Sequence, residues 1–188
     1  MTSENHNNIE VKVLDSSKAE EIKSALNNAK ADDEGNKFVY LNLESTSGDV
    51  SASINLISSI NSMDAEIIAN CNGEIDLAGV LLAAGSKFGK RKATSLTMFR
   101  LFEDDKSIGK KRTSLSANEK NALEMLDAFS GGKKSRIKAI LLKGLKVTAS
   151  EAKSLGLIDE VEGFTDRYAA ERAAAKKKSV DESEKEVR

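Results

Sequence analysis

Asp76 stands where this chain could do chemistry. It follows the apolar run Ile67-Ile68-Ala69-Asn70-Cys71, a turn at Gly73, and Ile75. It precedes Leu77-Ala78-Gly79-Val80-Leu81-Leu82-Ala83-Ala84-Gly85, a stretch of small and aliphatic residues. Strand, glycine turn and buried helix together expose the residue at the helix head to outward-pointing backbone N–H groups. A Ser or Cys there could be a nucleophile. A carboxylate could in principle act as nucleophile or base, or form a charge-assisted pair with a cation such as Arg100. Glu74 is a second acid in the same loop. Other reactive groups are scarce. The sole histidine, His6, lies in a polar N-terminal segment, and the sole cysteine, Cys71, lies in the apolar run. Ser86 and Ser95 lie near Lys87 and Lys92, but neither serine heads the helix.

These residues need a scaffold, and 188 residues suffice for one domain with a sizeable core. A net charge of −1 gives no overall attraction to nucleic acid or an anionic membrane surface. Aromatic residues are only 4%, too few for platforms that stack single-stranded bases. The basic clusters at 106–112 and 133–136 therefore read as solvated surface. No apolar run is long enough to span a bilayer. The N-terminus lacks a signal-peptide core, and Cys71 reads as a buried thiol in a reducing cytoplasm. No metal and no cofactor is expected.

Hydrophobic periodicity alternates between strand and helix along the chain. Strands are expected at 9–14, 38–43, 64–71, 93–102 and 157–161, with a brief extended piece at 145–147. Helices are expected at 18–29, 50–61, 77–85, about 117–129, 135–143 and 149–155. Asp15, Ser116 and Thr148 are placed to cap helices, the last two with Glu119 and Glu151 at capping-box spacing. Segment 44–49 reads as a turn and 103–114 as a charged loop. This alternation implies a βαβ-type α/β fold with a mostly parallel sheet. Residues 1–8 form a polar lead, 9–164 the domain, and 165–188 a charged tail with no apolar face to bury.

Four segments in order resemble the proteolytic subunit of the Clp protease, a relative of the crotonase superfamily. Leu41–Val50 is similar to a family strand followed by Asn-Ser-Pro-Gly-Gly-Ser-Val. Gly73–Gly85 is similar to the family's serine-bearing turn and helix, with Leu81-Leu82-Ala83-Ala84-Gly85 verbatim. Lys90-Arg91-Lys92-Ala93 resembles a Lys-Arg-x-Ala motif. Val147–Asp159 resembles Met-Ser-Ala-x-Glu-Ala-x-x-Tyr-Gly-Leu-Ile-Asp. The resemblance implies the ClpP/crotonase fold of stacked βαβ units. The handle is reduced, because the helix expected after Ser116 is short.

The family works by a Ser–His–Asp triad. By the resemblance, its serine, histidine and aspartate positions fall on Asp76, Arg100 and Gly144, so no catalytic residue is expected. The oxyanion donors would fall on Gly48 and Leu77. Ser47 stands in place of the first turn glycine and Thr46 in place of the proline, which alters a turn expected to need positive φ. A crotonase-like reading would need intact donor amides and an acidic base such as Glu74. The expected role is that of a non-catalytic, cytoplasmic subunit. It would self-associate into a heptamer-like ring or join an active paralogue, and a polypeptide could lie in the old cleft. The alternatives are a serine-type endopeptidase with an unorthodox site, and an assembly protein of a phage or mobile element on the same fold.

Overall fold

The alternation of strand and helix resolves into two sheets rather than one. The computed structural model describes residues 7–163, apart from positions 33, 61, 88 and 104. His6 and the expected tail at 165–188 lie outside the described residues. Strands β1 (Asn7–Leu14), β2 (Phe38–Gly48), β3 (Glu66–Asn72), β5 (Lys92–Thr94) and β8 (Glu160–Glu162) form a wholly parallel sheet in the order β1-β2-β3-β5-β8. Strands β4 (Glu74–Ile75), β6 (Met98–Arg100) and β7 (Lys146–Thr148) form a smaller sheet. In it β4 runs parallel to β6, and β6 antiparallel to β7.

Helices α1 (Ser16–Asn27), α2 (Val50–Ile60), α3 (Leu77–Ala84), α4 (Ala117–Phe129), α5 (Lys134–Lys143) and α6 (Ala149–Ser154) fill the connections. All eight residues of α3 are buried. Its Ala and Gly content lets α2, α4 and β2 pack closely against it, and Leu77, Leu81 and Leu82 are each at most 1% exposed. Each such leucine contributes about 2 kcal/mol of burial. The expected capping boxes form at Ser116–Glu119 and at Thr148–Glu151. Helix α4, with 13 residues, is the helix that follows β6 and its charged loop.

Two expectations change. The single strand expected over 93–102 is two strands, β5 and β6, in different sheets. A turn from Thr94 to Thr97 separates them, closed by Thr97 N–H on the Thr94 carbonyl at 3.1 Å. The Thr97 hydroxyl is buried on the Cys71 carbonyl, while Leu96, which counted as a strand residue, is 85% exposed at the turn. The turn expected at 44–49 is instead the end of β2. Pairing with β1 jumps from Val11↔Leu43 to Val13↔Ser47, leaving extra residues on β2. Ser45 takes φ 45° in this bulge, and the in–out alternation of β2 resets so that Thr46 is buried. Bulges of this kind re-aim a strand, and here Thr46 and Gly48 are aimed at the head of α3.

Candidate functional site

Small-sheet pairing gathers the three positions singled out in the sequence. Asp76 follows β4 directly, and Ile75 pairs with Phe99, so Asp76 lies beside Arg100 at the end of β6. Arg100 pairs across to Lys146 on β7, two residues beyond Gly144. Asp76, Arg100 and Gly144 thus converge on one end of this sheet, though they are separated by dozens of residues in the chain.

Asp76 is the N-cap of α3 and only 6% exposed. One carboxylate oxygen, Oδ2, accepts the Gly48 N–H at 2.8 Å. The other, Oδ1, accepts the Gly79 N–H at 3.0 Å and the Thr46 hydroxyl at a longer 3.3 Å. The positive end of the α3 dipole adds to this favourable setting for an anion. Burial nevertheless pushes the Asp76 carboxyl above its ordinary value. The Gly79 and Gly48 amides, the charge of Arg100 and the Thr46 hydroxyl pull it down by less. Arg100 acts here as a nearby charge rather than a direct partner, so the Asp76–Arg100 pair envisaged from the sequence is replaced by backbone amides. The guanidinium leans toward Glu74, with Nε at 4.0 Å from Oε1.

Gly48, expected as an oxyanion donor, has its N–H committed to Asp76. Its glycine identity answers to close approach and not to positive φ. A Cβ at 48 would stand 2.5 Å from the Leu14 carbonyl oxygen, against which β2 ends. Leu77, expected as the second donor, gives the carboxylate no bond, and Gly79 does so instead. Gly144 is the left-handed C-cap of α5, with φ 60°. A Cβ there would meet the Ser107 carbonyl oxygen at 1.9 Å, so this position accepts no carboxylate side chain without moving the backbone.

Gly79 carried no reading in the sequence, and Thr46 only that of a replaced turn proline. They fit as a pair, since a Cβ at Gly79 would lie 2.2 Å from the Thr46 hydroxyl oxygen. The Asp-x-x-Gly spacing at 76–79 carried the signal, because an N-cap acid takes the N–H two or three residues on. Other candidate groups are engaged elsewhere. Glu74 accepts Lys146 Nζ at 2.7 Å. The Ser86 hydroxyl donates to the Leu82 carbonyl at 2.7 Å, while Lys87 is paired with Glu66 and Lys92 with Glu160 and Glu162. Neither serine therefore meets its neighbouring lysine. Burial pushes the Cys71 thiol up to about 12, which leaves no thiolate at neutral pH. Among the described residues no cluster of His, Cys, Asp or Glu could hold a metal ion, and no helix is long and apolar enough to cross a membrane.

The arrangement can hold a negative charge on fixed amides, and it already holds one of its own. Solved structures share the frame. The ClpP protease catalytic domain from Plasmodium falciparum superposes with a TM-score of 0.67 at 19% identity, over 84% of this chain and 86% of that one. A peptidase from Plasmodium falciparum gives a TM-score of 0.66 at 18% identity, over 84% of this chain and 96% of that one. At such identity the likeness carries the fold alone. The family description Clp protease matches residues 4–164 of the sequence, a span that takes in both sheets and the Asp76 niche, and the chain belongs to the Clp protease family.

Proposed function

We propose that this chain is a non-catalytic member of the family with a structural role in an oligomeric assembly. The observation that carries this reading is the Asp76 carboxylate seated on the Gly48 and Gly79 amides. A peptide carbonyl approaching the α3 head would develop negative charge beside a charge already present, where an oxyanion site requires vacant donors. The Arg100 position cannot supply a proton acceptor, because a guanidinium stays protonated. The Gly144 position is closed to an orienting carboxylate. What remains is the scaffold: a parallel sheet, a buried α3, and edges at β1 and β8 on which copies or a paralogue could associate. Family membership favours a ring of such subunits, and an active paralogue as partner fits the loss of these groups.

Incubation with a fluorophosphonate probe and a fluorogenic peptide tests the chemistry. Neither labelling nor turnover above blank is expected, for the chain or for Asp76→Ser, because that change restores a hydroxyl without its base. Turnover abolished by one point change would favour the alternative, an endopeptidase with an unorthodox site. Mass photometry, with and without a co-expressed active paralogue, tests the assembly. A ring-sized species is expected, and a stable monomer under both conditions would remove the structural role.

A further inference from the structure

The two basic clusters lie far apart in the sequence, and the fold puts them side by side. Segment 106–112 holds four basic and no acidic residues, and 133–147 holds six and none. The Gly109 N–H donates to the Gly144 carbonyl at 2.9 Å, and the Arg112 N–H to the Leu142 carbonyl at 2.7 Å. Arg112 is itself held by a bidentate pair with the fully buried Glu119, and its Nη2 also donates to the Leu141 carbonyl. The charged loop is thereby pinned along the C-terminal end of α5.

Part of this charge is neutralised within the chain, Lys134 by Glu124 and Lys146 by Glu74. Lys110, Lys111, Lys138 and Lys143 are exposed and take part in none of the ion pairs among the described residues. Two large aliphatic side chains stand exposed beside them, Ile108 at 46% and Leu145 at 45%. Leu145, Ile140 and Val147 line a groove of about 260 Å³ between α5, β7 and α6, rimmed by Arg136 and Lys143. Glu151 also lines it, its carboxyl held below the ordinary value by the Thr148 amide and hydroxyl and by the charge of Arg136, so the lining sets three cations, Arg136, Lys143 and Lys146, against one anion.

We infer that this groove docks an acidic polypeptide segment that carries an aliphatic side chain. The basic rim supplies charge complementarity and steering, and the Leu145 floor supplies an apolar seat. Nucleic acid would satisfy the rim but leave the aliphatic floor wet, and no aromatic ring lines the groove for stacking. A second copy in a two-fold contact would bring the same basic rim against this one, which is repulsive.

Fluorescence anisotropy of the full chain with a labelled peptide of alternating Glu and Leu tests the inference. The probe is expected to bind. The double variant Arg136→Glu, Lys143→Glu, at the rim of the groove, should weaken it about tenfold or more, and Leu145→Ser about fivefold. These side chains are exposed, so unchanged circular dichroism and melting are expected to accompany both effects. Lys23→Glu, on α1, should change nothing. The inference is overturned if the probe does not bind, if a Glu–Ser peptide or an oligonucleotide binds as tightly, or if Leu145→Ser has no effect. Self-association that Leu145→Ser abolishes would give the groove to a second copy and overturn it equally.

Discussion

The two ends of α3 receive opposite charges, and by different means. At the N-terminus the Asp76 carboxylate takes two backbone amides and the Thr46 hydroxyl, with Arg100 acting only through space. At the C-terminus the Arg91 guanidinium donates to the Ala84 carbonyl at 3.2 Å and forms a two-pronged pair with Asp159 at 2.6 and 2.8 Å. Both charges suit the helix dipole. The difference lies in compensation. Asp159 is partly buried, yet its bonds to the Arg91 side chain and backbone outweigh burial and hold its carboxyl below the ordinary value. Asp76 lacks a direct cation, and burial holds its carboxyl above it. One end is a closed structural clasp. The other is an anion seat that the chain fills from within.

The largest expected effect tests the clasp. Asp159→Ala takes the carboxylate from a guanidinium that is 2% exposed, and urea denaturation should show a loss of about 3–5 kcal/mol. A loss below about 1 kcal/mol would put this pair in the class of surface ion pairs and erase the contrast. Gly144→Asp comes next, with about 3 kcal/mol lost to left-handed strain and the clash on Ser107. A stable Gly144→Asp protein would mean that the backbone at 144 accommodates a carboxylate side chain after all. Asp76→Ala should cost about 1–3 kcal/mol, because the Gly48 and Gly79 amides lose their acceptor. Thr46→Val should cost under about 1 kcal/mol, since the bond it loses is long.

Acid sharpens the same contrast by sign. A lowered carboxyl gives stability above the ordinary value of 3.8, and that stability drains as pH falls through the folded value. Wild type should therefore lose ground to Asp159→Asn on acidification. A raised carboxyl works the other way, its contribution being full below 3.8 and lost as pH rises through the folded value. Wild type should gain ground on Asp76→Asn over the same titration, followed by urea melts from about pH 7 down to about pH 2.5, the Asp76 change falling above 3.8 and the Asp159 change below it. Parallel slopes for the two variants would mean the two niches are electrostatically alike.

Much of the fold was legible because its elements have strong local causes. Ser116 and Thr148 cap their helices as their Glu partners announced, and the apolar β2 and β3 runs became interior strands. The resemblance in Lys90–Ala93 and in Val147–Asp159 turned out to hold the two halves of one bond, Arg91 with Asp159. Boundaries failed where tertiary pairing overrode local chemistry. Polar residues at 44–48 look like a turn, but β1 offers them a partner across a bulge. The run 93–102 looks continuous, yet each half has a different sheet to join. The basic clusters read as ordinary surface because nothing in the sequence brings 109 to 144.

By itself the sequence determined which groups exist: an acid at the head of a small-residue helix, an arginine at 100, a glycine at 144, and one histidine, at position 6. Those are facts of composition and order, and they bound the chemistry before any folding. Only the tertiary structure decided what Asp76 touches. A bulge in β2 brings Gly48 within 2.8 Å of its carboxylate, and Gly79 leaves room for Thr46 beside it. Hydrogen bonds and steric exclusion act over a few ångströms, and only the folded chain sets distances on that scale.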